Sequence, residues 1–130
     1  MSNIKEDYVS FDVAKLLKEK GFTEECELFY EWHEGCKSYV ICSRGGTCNN
    51  EEYPDEYSMP THQMAMKWLR EVHNVMIVPI PISFKKKSGY NKWKCELYIE
   101  GVFEHMNSKF STYEEACEAA LKHCLINLLK

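Results

Sequence analysis

The sequence predicts an α+β fold, an antiparallel sheet with three helices in the order α-β-β-α-β-β-β-α. Three observations carry that expectation. Apolar residues recur at helical spacing in three segments, they alternate with period two between those segments, and short turns rather than long crossovers join the alternating stretches. At 130 residues the chain fits one domain, residues 1–130.

Residues 1–9 read as a short frayed start. Ser10 then caps a first helix over 11–20, its hydroxyl able to accept an orphan N–H of the first turn. Val13, Ala14, Leu16, Leu17 and Lys20 repeat at helical spacing, with Lys15, Lys18 and Glu19 outward. Gly21 offers the left-handed exit, and Phe22 can fold back on Leu17. Residues 26–33 alternate, with Cys26, Leu28, Tyr30 and Trp32 on one side and Glu27, Phe29, Glu31 and His33 on the other. Past Glu34-Gly35, residues 38–42 return as the second arm of a hairpin. Residues 43–60, rich in Gly, Asn and Pro, read as a long loop, either mobile or functional.

Thr61 opens a second helix over 62–73, with Met64, Ala65, Trp68, Leu69 and Val72 inward. Asn74 suits a left-handed exit. Residues 75–83 form a strand in which Pro79 and Pro81 cannot donate to a ladder, which marks an edge strand or a bulge. A turn over 85–92, a strand over 93–99, a turn at Glu100-Gly101 and a strand over 102–106 follow. Ser111 with Glu114, or Thr112 with Glu115, forms the capping box of a last helix over 113–129. Lys122, His123 and Lys130 suit that helix's negative end. Its inward stripe is Ala116, Cys117, Ala120, Leu121, Cys124, Leu125 and Leu128. The segment 15–19 echoes 67–71, over too few positions to read as a duplication.

Composition narrows the function classes. Hydrophobic residues make up 45% and charged residues 28%, which excludes a disordered tail, a fibre and a low-complexity array. No apolar run is long enough for a bilayer, and the first 25 residues lack the apolar core of a signal peptide. Seven cysteines, an odd number with uneven spacing, fit free thiols in a reducing cytoplasm. Charge is unevenly placed: residues 1–60 hold 13 acids against 6 bases, and residues 61–130 hold 7 against 10. The ordinary reading of that dipole is solubility.

Four residues have the chemistry of zinc ligands: His33, Cys36, Cys42 and Cys48. Their spacing contains no Cys-x-x-Cys knuckle, so free thiols are expected and no metal or cofactor is assigned. His123 and Cys124 are adjacent on a helix, point about 100° apart and cannot pair for nucleophilic catalysis. The other histidines (His33, His62, His73 and His105) fall at turns or helix ends, where surface solvation or backbone bonding is the ordinary explanation. Arg44-Gly45-Gly46-Thr47 lacks the sequel of a phosphate loop. No catalytic residue is assigned, and an enzyme is not expected. The positive lead is the stretch 84–94. There Lys85, Lys86, Lys87, Lys92 and Lys94 could neutralise phosphates while Phe84, Tyr90 and Trp93 stack on bases.

Three segments carry a resemblance. They are residues 6–22, through Lys15-Leu16-Leu17-Lys18-Glu19 to Gly21-Phe22; residues 61–73, through Met64-Ala65-Met66-Lys67-Trp68-Leu69; and residues 112–120, Thr112-Tyr113-Glu114-Glu115 onward. Together they resemble a group of small uncharacterised proteins from phage-like and mobile-element regions of gut anaerobic bacteria. The resemblance implies a bacterial or phage cytoplasm and no activity. Residues 61–130 also resemble the helix, three strands, helix order of a double-stranded-RNA-binding domain. That family presents lysines at the start of its last helix, where this chain has Glu114, Glu115 and Glu118, so its RNA activity is not carried over. The expectation is a cytoplasmic, phage-associated accessory protein. It is non-enzymatic, without a membrane segment, and binds a macromolecule, a protein first. The alternative is a nucleic-acid binder using the hairpin 85–94. A hydrolase or metalloprotein built on residues 33–48 ranks third.

Overall fold

The computed structural model describes residues 4–129; Lys130 lies outside them, as do residues 1–3. Among the described residues the fold is α+β, with three helices and two antiparallel three-stranded sheets. No helix among the described residues is long and apolar enough to cross a membrane. The chain divides into two compact units, Met1–Thr61 and His62–Lys130.

The first unit holds α1 (Phe11–Glu19), β1 (Cys26–His33), β2 (Ser38–Cys48) and β3 (Tyr57–Ser58), with sheet order β2-β1-β3. Ser10 caps α1 by accepting from Val13 N at 3.3 Å. Gly21 takes φ +92°, and Phe22 N donates to Leu17 O at 2.9 Å, so the expected exit forms and buries the Phe22 ring. The start is not frayed throughout. Val9 is buried, its N–H donates to Pro60 O at 3.0 Å, and Tyr30 Oη donates to Val9 O at 3.0 Å.

The largest departure from expectation lies in 43–60, which is not one long loop. Residues 43–48 continue β2, and Tyr57–Ser58 adds β3 against Phe29 and Tyr30 of β1. Long-range polar side chains hold the connection, and they leave no local periodicity to read. Asn50 is buried; its Nδ2 donates to Phe22 O at 2.9 Å and its Oδ1 accepts from Ser58 N at 2.9 Å. Arg44 grips both carboxylate oxygens of Glu56 and lies against the rings of Phe29 and Tyr53, 4.2 and 3.7 Å from their centroids. Lys18 was expected in solvent. It is half-buried instead, donating to Pro54 O and Glu56 O with its ammonium over the Tyr57 ring.

The second unit holds α2 (His62–His73), β4 (Val75–Lys85), β5 (Gly89–Ile99), β6 (Val102–His105) and α3 (Tyr113–His123), which ends in a π-helical turn, Cys124–Leu128. Its sheet is a meander, β4-β5-β6, with the proline-bearing β4 at an edge as expected. Glu100 and Gly101 both take positive φ, as a two-residue hairpin turn with right-handed twist demands. Thr112 caps α3 by accepting from Glu115 N at 3.1 Å, and the Glu115 carboxylate accepts from Ser111 N at 3.3 Å. The stripe of α3 is buried from Ala116 to Leu125, whereas Leu128 in the π turn is half-buried. The stripe of α2 is rotated from expectation. Met66 and His62 are inside with Ala65, Trp68 and Leu69, while Met64 and Val72 are 43% and 54% exposed.

Although each unit runs helix then three strands, the central strand is the first in one and the second in the other. The echo between 15–19 and 67–71 therefore does not extend to a repeated sheet.

Two stability outcomes follow from these contacts. Trp68, 6% exposed and packed edge-on against His73, should cost about 3–5 kcal/mol as Trp68→Ala through lost burial and a residual cavity. Asn50→Ala orphans a buried carbonyl and a buried N–H and should cost about 2–3 kcal/mol. Urea unfolding of each variant measures both; a loss under about 1 kcal/mol at either position would contradict the packing described.

Candidate functional site

The β4–β5 hairpin outruns its sheet. β6 pairs only with Glu96–Ile99, and past Trp93, which exchanges both backbone hydrogen bonds with Phe110 at 2.8 Å, the hairpin is two strands wide. The strands run to the tip, so Tyr90 and Lys92 belong to β5 rather than to the expected turn, which shrinks to 86–88. Irregular register around Ser83, close to Pro81, accommodates the missing donors.

All five lysines lie on this arm. Lys85, Lys86, Lys87 and Lys92 are exposed, whereas Lys94 sits half-buried opposite Ile80. Phe84 and Tyr90 face each other across the strands with ring centroids 5.0 Å apart, and they are 60% and 59% exposed. Tyr90 meets Trp93 at 5.9 Å, and Trp93 meets Tyr113 of α3 edge-on at 5.2 Å. Trp93 is thus half-buried at the root of the arm, and its ring anchors rather than presents. No carboxylate occurs between Glu71 and Glu96 in the sequence, so the arm itself is purely cationic. Exposed Glu114 and Glu115 begin the helix whose Tyr113 touches that root.

The outer face of the same sheet carries a second feature. Met76, Tyr98 and Phe103 are in register across the three strands, and Met76 and Phe103 are 42% and 48% exposed. A concavity of about 420 Å³ opens beside this row, lined by Arg70, Asn74, Met76, Tyr98, Glu100 and Gly101.

In the first unit, the four thiol and imidazole groups weighed as ligands do not all converge. Cys48 is buried opposite Cys26, and exposed Cys36 turns to Ser38 Oγ at 3.2 Å. His33 and Cys42 do meet, Nε2 to Sγ at 3.8 Å, and Glu31 joins them with its carboxylate 3.6 Å from His33 Nε2. Glu31 is not among the four residues that composition singles out, although its place two residues before His33 on an alternating strand puts both on one face. Burial, chiefly, and the neighbouring Glu31 push the Cys42 thiol up from its ordinary value.

His62 is not solvated, and its ring meets a carboxylate. It is 6% exposed and lies 3.0 Å from Glu118, which joins the start of α2 to α3. Glu118, expected to repel phosphate, is engaged in that pair.

Cys117 and Cys124 are fully buried, as their place on the apolar face of α3 requires, and Cys95 lies with them. Burial pushes the Cys95 and Cys124 thiols up to about 12, which keeps them as inert thiols. Comparison with known proteins finds no family model, no curated protein and no solved structure that matches the chain.

The thiols supply one measurement. A thiol-specific alkylating reagent at neutral pH should modify exposed Cys36 in the native protein and leave Cys95 and Cys124 intact until denaturant is added. Mass mapping that found Cys95 or Cys124 labelled as fast as Cys36 would contradict the burial.

Proposed function

We propose that this protein is a small non-enzymatic accessory module that binds a macromolecule, and that the partner is a single-stranded nucleic acid held by the β4–β5 arm. One observation carries the reading: four exposed lysines and two exposed aromatics, tilted against each other, share a two-stranded arm that holds no carboxylate, with Lys94 at its root. Hairpin tips are often charged to discourage edge pairing, but solvation alone gives no reason to keep Phe84 and Tyr90 in water. Lysines neutralise phosphates, and aromatic faces stack on unpaired bases in a sequence-tolerant way. The arm also belongs to the half of the chain with the positive balance, 10 bases against 7 acids over residues 61–130. Glu114 and Glu115 lie toward the root, so contact is assigned to the distal arm, Lys85, Lys86, Lys87, Tyr90 and Lys92, with Lys94 and Trp93 supporting it.

The resemblance of three segments to proteins of phage-like regions supports a bacterial or phage cytoplasm as the setting. The helix, three strands, helix order of residues 61–130 resembles that of double-stranded-RNA-binding domains. The acidic start of α3 argues against that family's duplex grip.

A protein partner is the second reading, and the apolar row Met76–Tyr98–Phe103 favours it. Exposed apolar rows with polar borders are a property of protein-binding faces.

Titration of labelled single strands and duplexes at several salt concentrations separates the readings. For four phosphate contacts on a single strand, log affinity should fall with log salt at a slope of about −2.8, and changing Lys85, Lys86 and Lys87 together to Ala should flatten it by about two units. Phe84→Ala with Tyr90→Ala should weaken binding by about 1–3 kcal/mol per stacked base lost while leaving the slope nearly unchanged. Absence of salt-dependent binding by the unmodified protein would overturn the nucleic-acid reading. A protein crosslinked through a photoreactive group at Phe103, and lost in a Met76→Glu background, would then establish the second.

A further inference from the structure

We propose that Glu31, His33 and Cys42 form a binding site for one Zn²⁺ ion on the β1–β2 hairpin, with its fourth coordination position open to solvent. The site is independent of the cationic arm and of the reading built on it.

Side chains two apart on a strand share a face, which puts Glu31 beside His33. In the antiparallel register Cys42 lies opposite Phe29, and Val40 lies opposite Glu31, so Cys42 is on that face too, diagonal to Glu31. The ligating atoms of all three residues lie within 4.8 Å of one another. Tetrahedral zinc with bonds of about 2.0–2.3 Å sets its ligand atoms about 3.3–3.6 Å apart. The His33–Glu31 separation is 3.6 Å and the His33–Cys42 separation is 3.8 Å, a few tenths of an ångström from that spacing, and side-chain rotation would bring Glu31 and Cys42, within 4.8 Å of each other, to it.

The donor set selects the ion. One thiolate, one imidazole and one carboxylate suit a borderline-soft divalent cation, whereas Mg²⁺ and Ca²⁺ require oxygen ligands in larger number. Arg44, close enough to act on Cys42, already has its guanidinium on both oxygens of Glu56. Glu31 and His33 are solvent-accessible, with side chains 43% and 45% exposed, so the ion can enter without unfolding the hairpin. Three protein ligands with an open position resemble exchangeable or catalytic zinc sites more than closed structural ones. Binding should displace the Cys42 proton, and the fold should survive removal of the metal.

Co²⁺ serves as the visible probe. Titrating the reduced, metal-free protein with Co²⁺ should give a tetrahedral d–d spectrum with thiolate charge-transfer absorption, saturating at one equivalent and displaced by Zn²⁺. Cys42→Ser should abolish the charge-transfer band. His33→Ala and Glu31→Gln should each weaken Zn²⁺ binding at least about tenfold, the loss that even outer-shell changes bring. Cys36→Ser, on the same hairpin turn, should leave affinity and spectrum unchanged. No tetrahedral spectrum in the unmodified protein would overturn the site. So would a charge-transfer band that persists in Cys42→Ser, or one that disappears in Cys36→Ser. Circular dichroism of each variant confirms its fold, and the unmodified protein's own spectrum decides the matter if a variant fails to fold.

Discussion

The second unit depends on the close approach of α3 to its sheet. Ala116, Cys117 and Ala120 are the smallest apolar residues that can line a helix without glycine's entropic cost, and all are fully buried. They let the helix lie near enough for the Cys95 thiol to donate to Ala116 O at 3.3 Å. Val75, Ile77, Cys95 and Leu97 supply the buried face of the sheet on alternate positions of β4 and β5. A larger side chain at Ala116 would push the helix away and break that contact. The same approach sets Tyr113 against Trp93, so the root of the cationic arm is fixed by helix packing although its tip is free in solvent.

The first unit solves a different problem. Its helix is short and its sheet has a two-residue third strand, so apolar burial alone leaves a long connection unheld. Asn50, Arg44 and Lys18 hold it by polar contacts spanning distant parts of the chain. Buried polar groups are stabilising only when satisfied, and Asn50 makes use of both ends of its amide. Phe11 gathers Tyr30, Tyr39 and Tyr57 around one ring, with Tyr39 stacked at 4.4 Å. That cluster ties α1 to all three strands.

The two candidate sites differ in how the fold makes them. The arm is made by extension: strands that outlast their sheet carry lysines and aromatic rings into water. The Glu31–His33–Cys42 cluster is made by register, since a one-residue slip of β2 would send Cys42 to the opposite face. Both therefore rest on backbone pairing rather than on a pocket, and the concavity beside Met76 contributes to neither.

Helix spans, caps and the inward face of α3 were legible because they depend on neighbours within a few residues. Ser10, Gly21, Thr112 and the stripe from Ala116 to Leu125 all act locally. The lysine run and its aromatics were legible as composition, since a hairpin keeps sequence neighbours together. What tertiary structure alone decided involves partners far apart in the chain. Asn50 with Phe22, Arg44 with Glu56 and His62 with Glu118 pair across 28, 12 and 56 residues, and no periodicity announces them. The rotation that buries Met66 in place of Met64 follows from what α2 packs against. The meeting of Cys42 with Glu31 and His33 follows from β1–β2 register. Local pattern specifies which residues can bond or pack; only the folded chain specifies which of them meet.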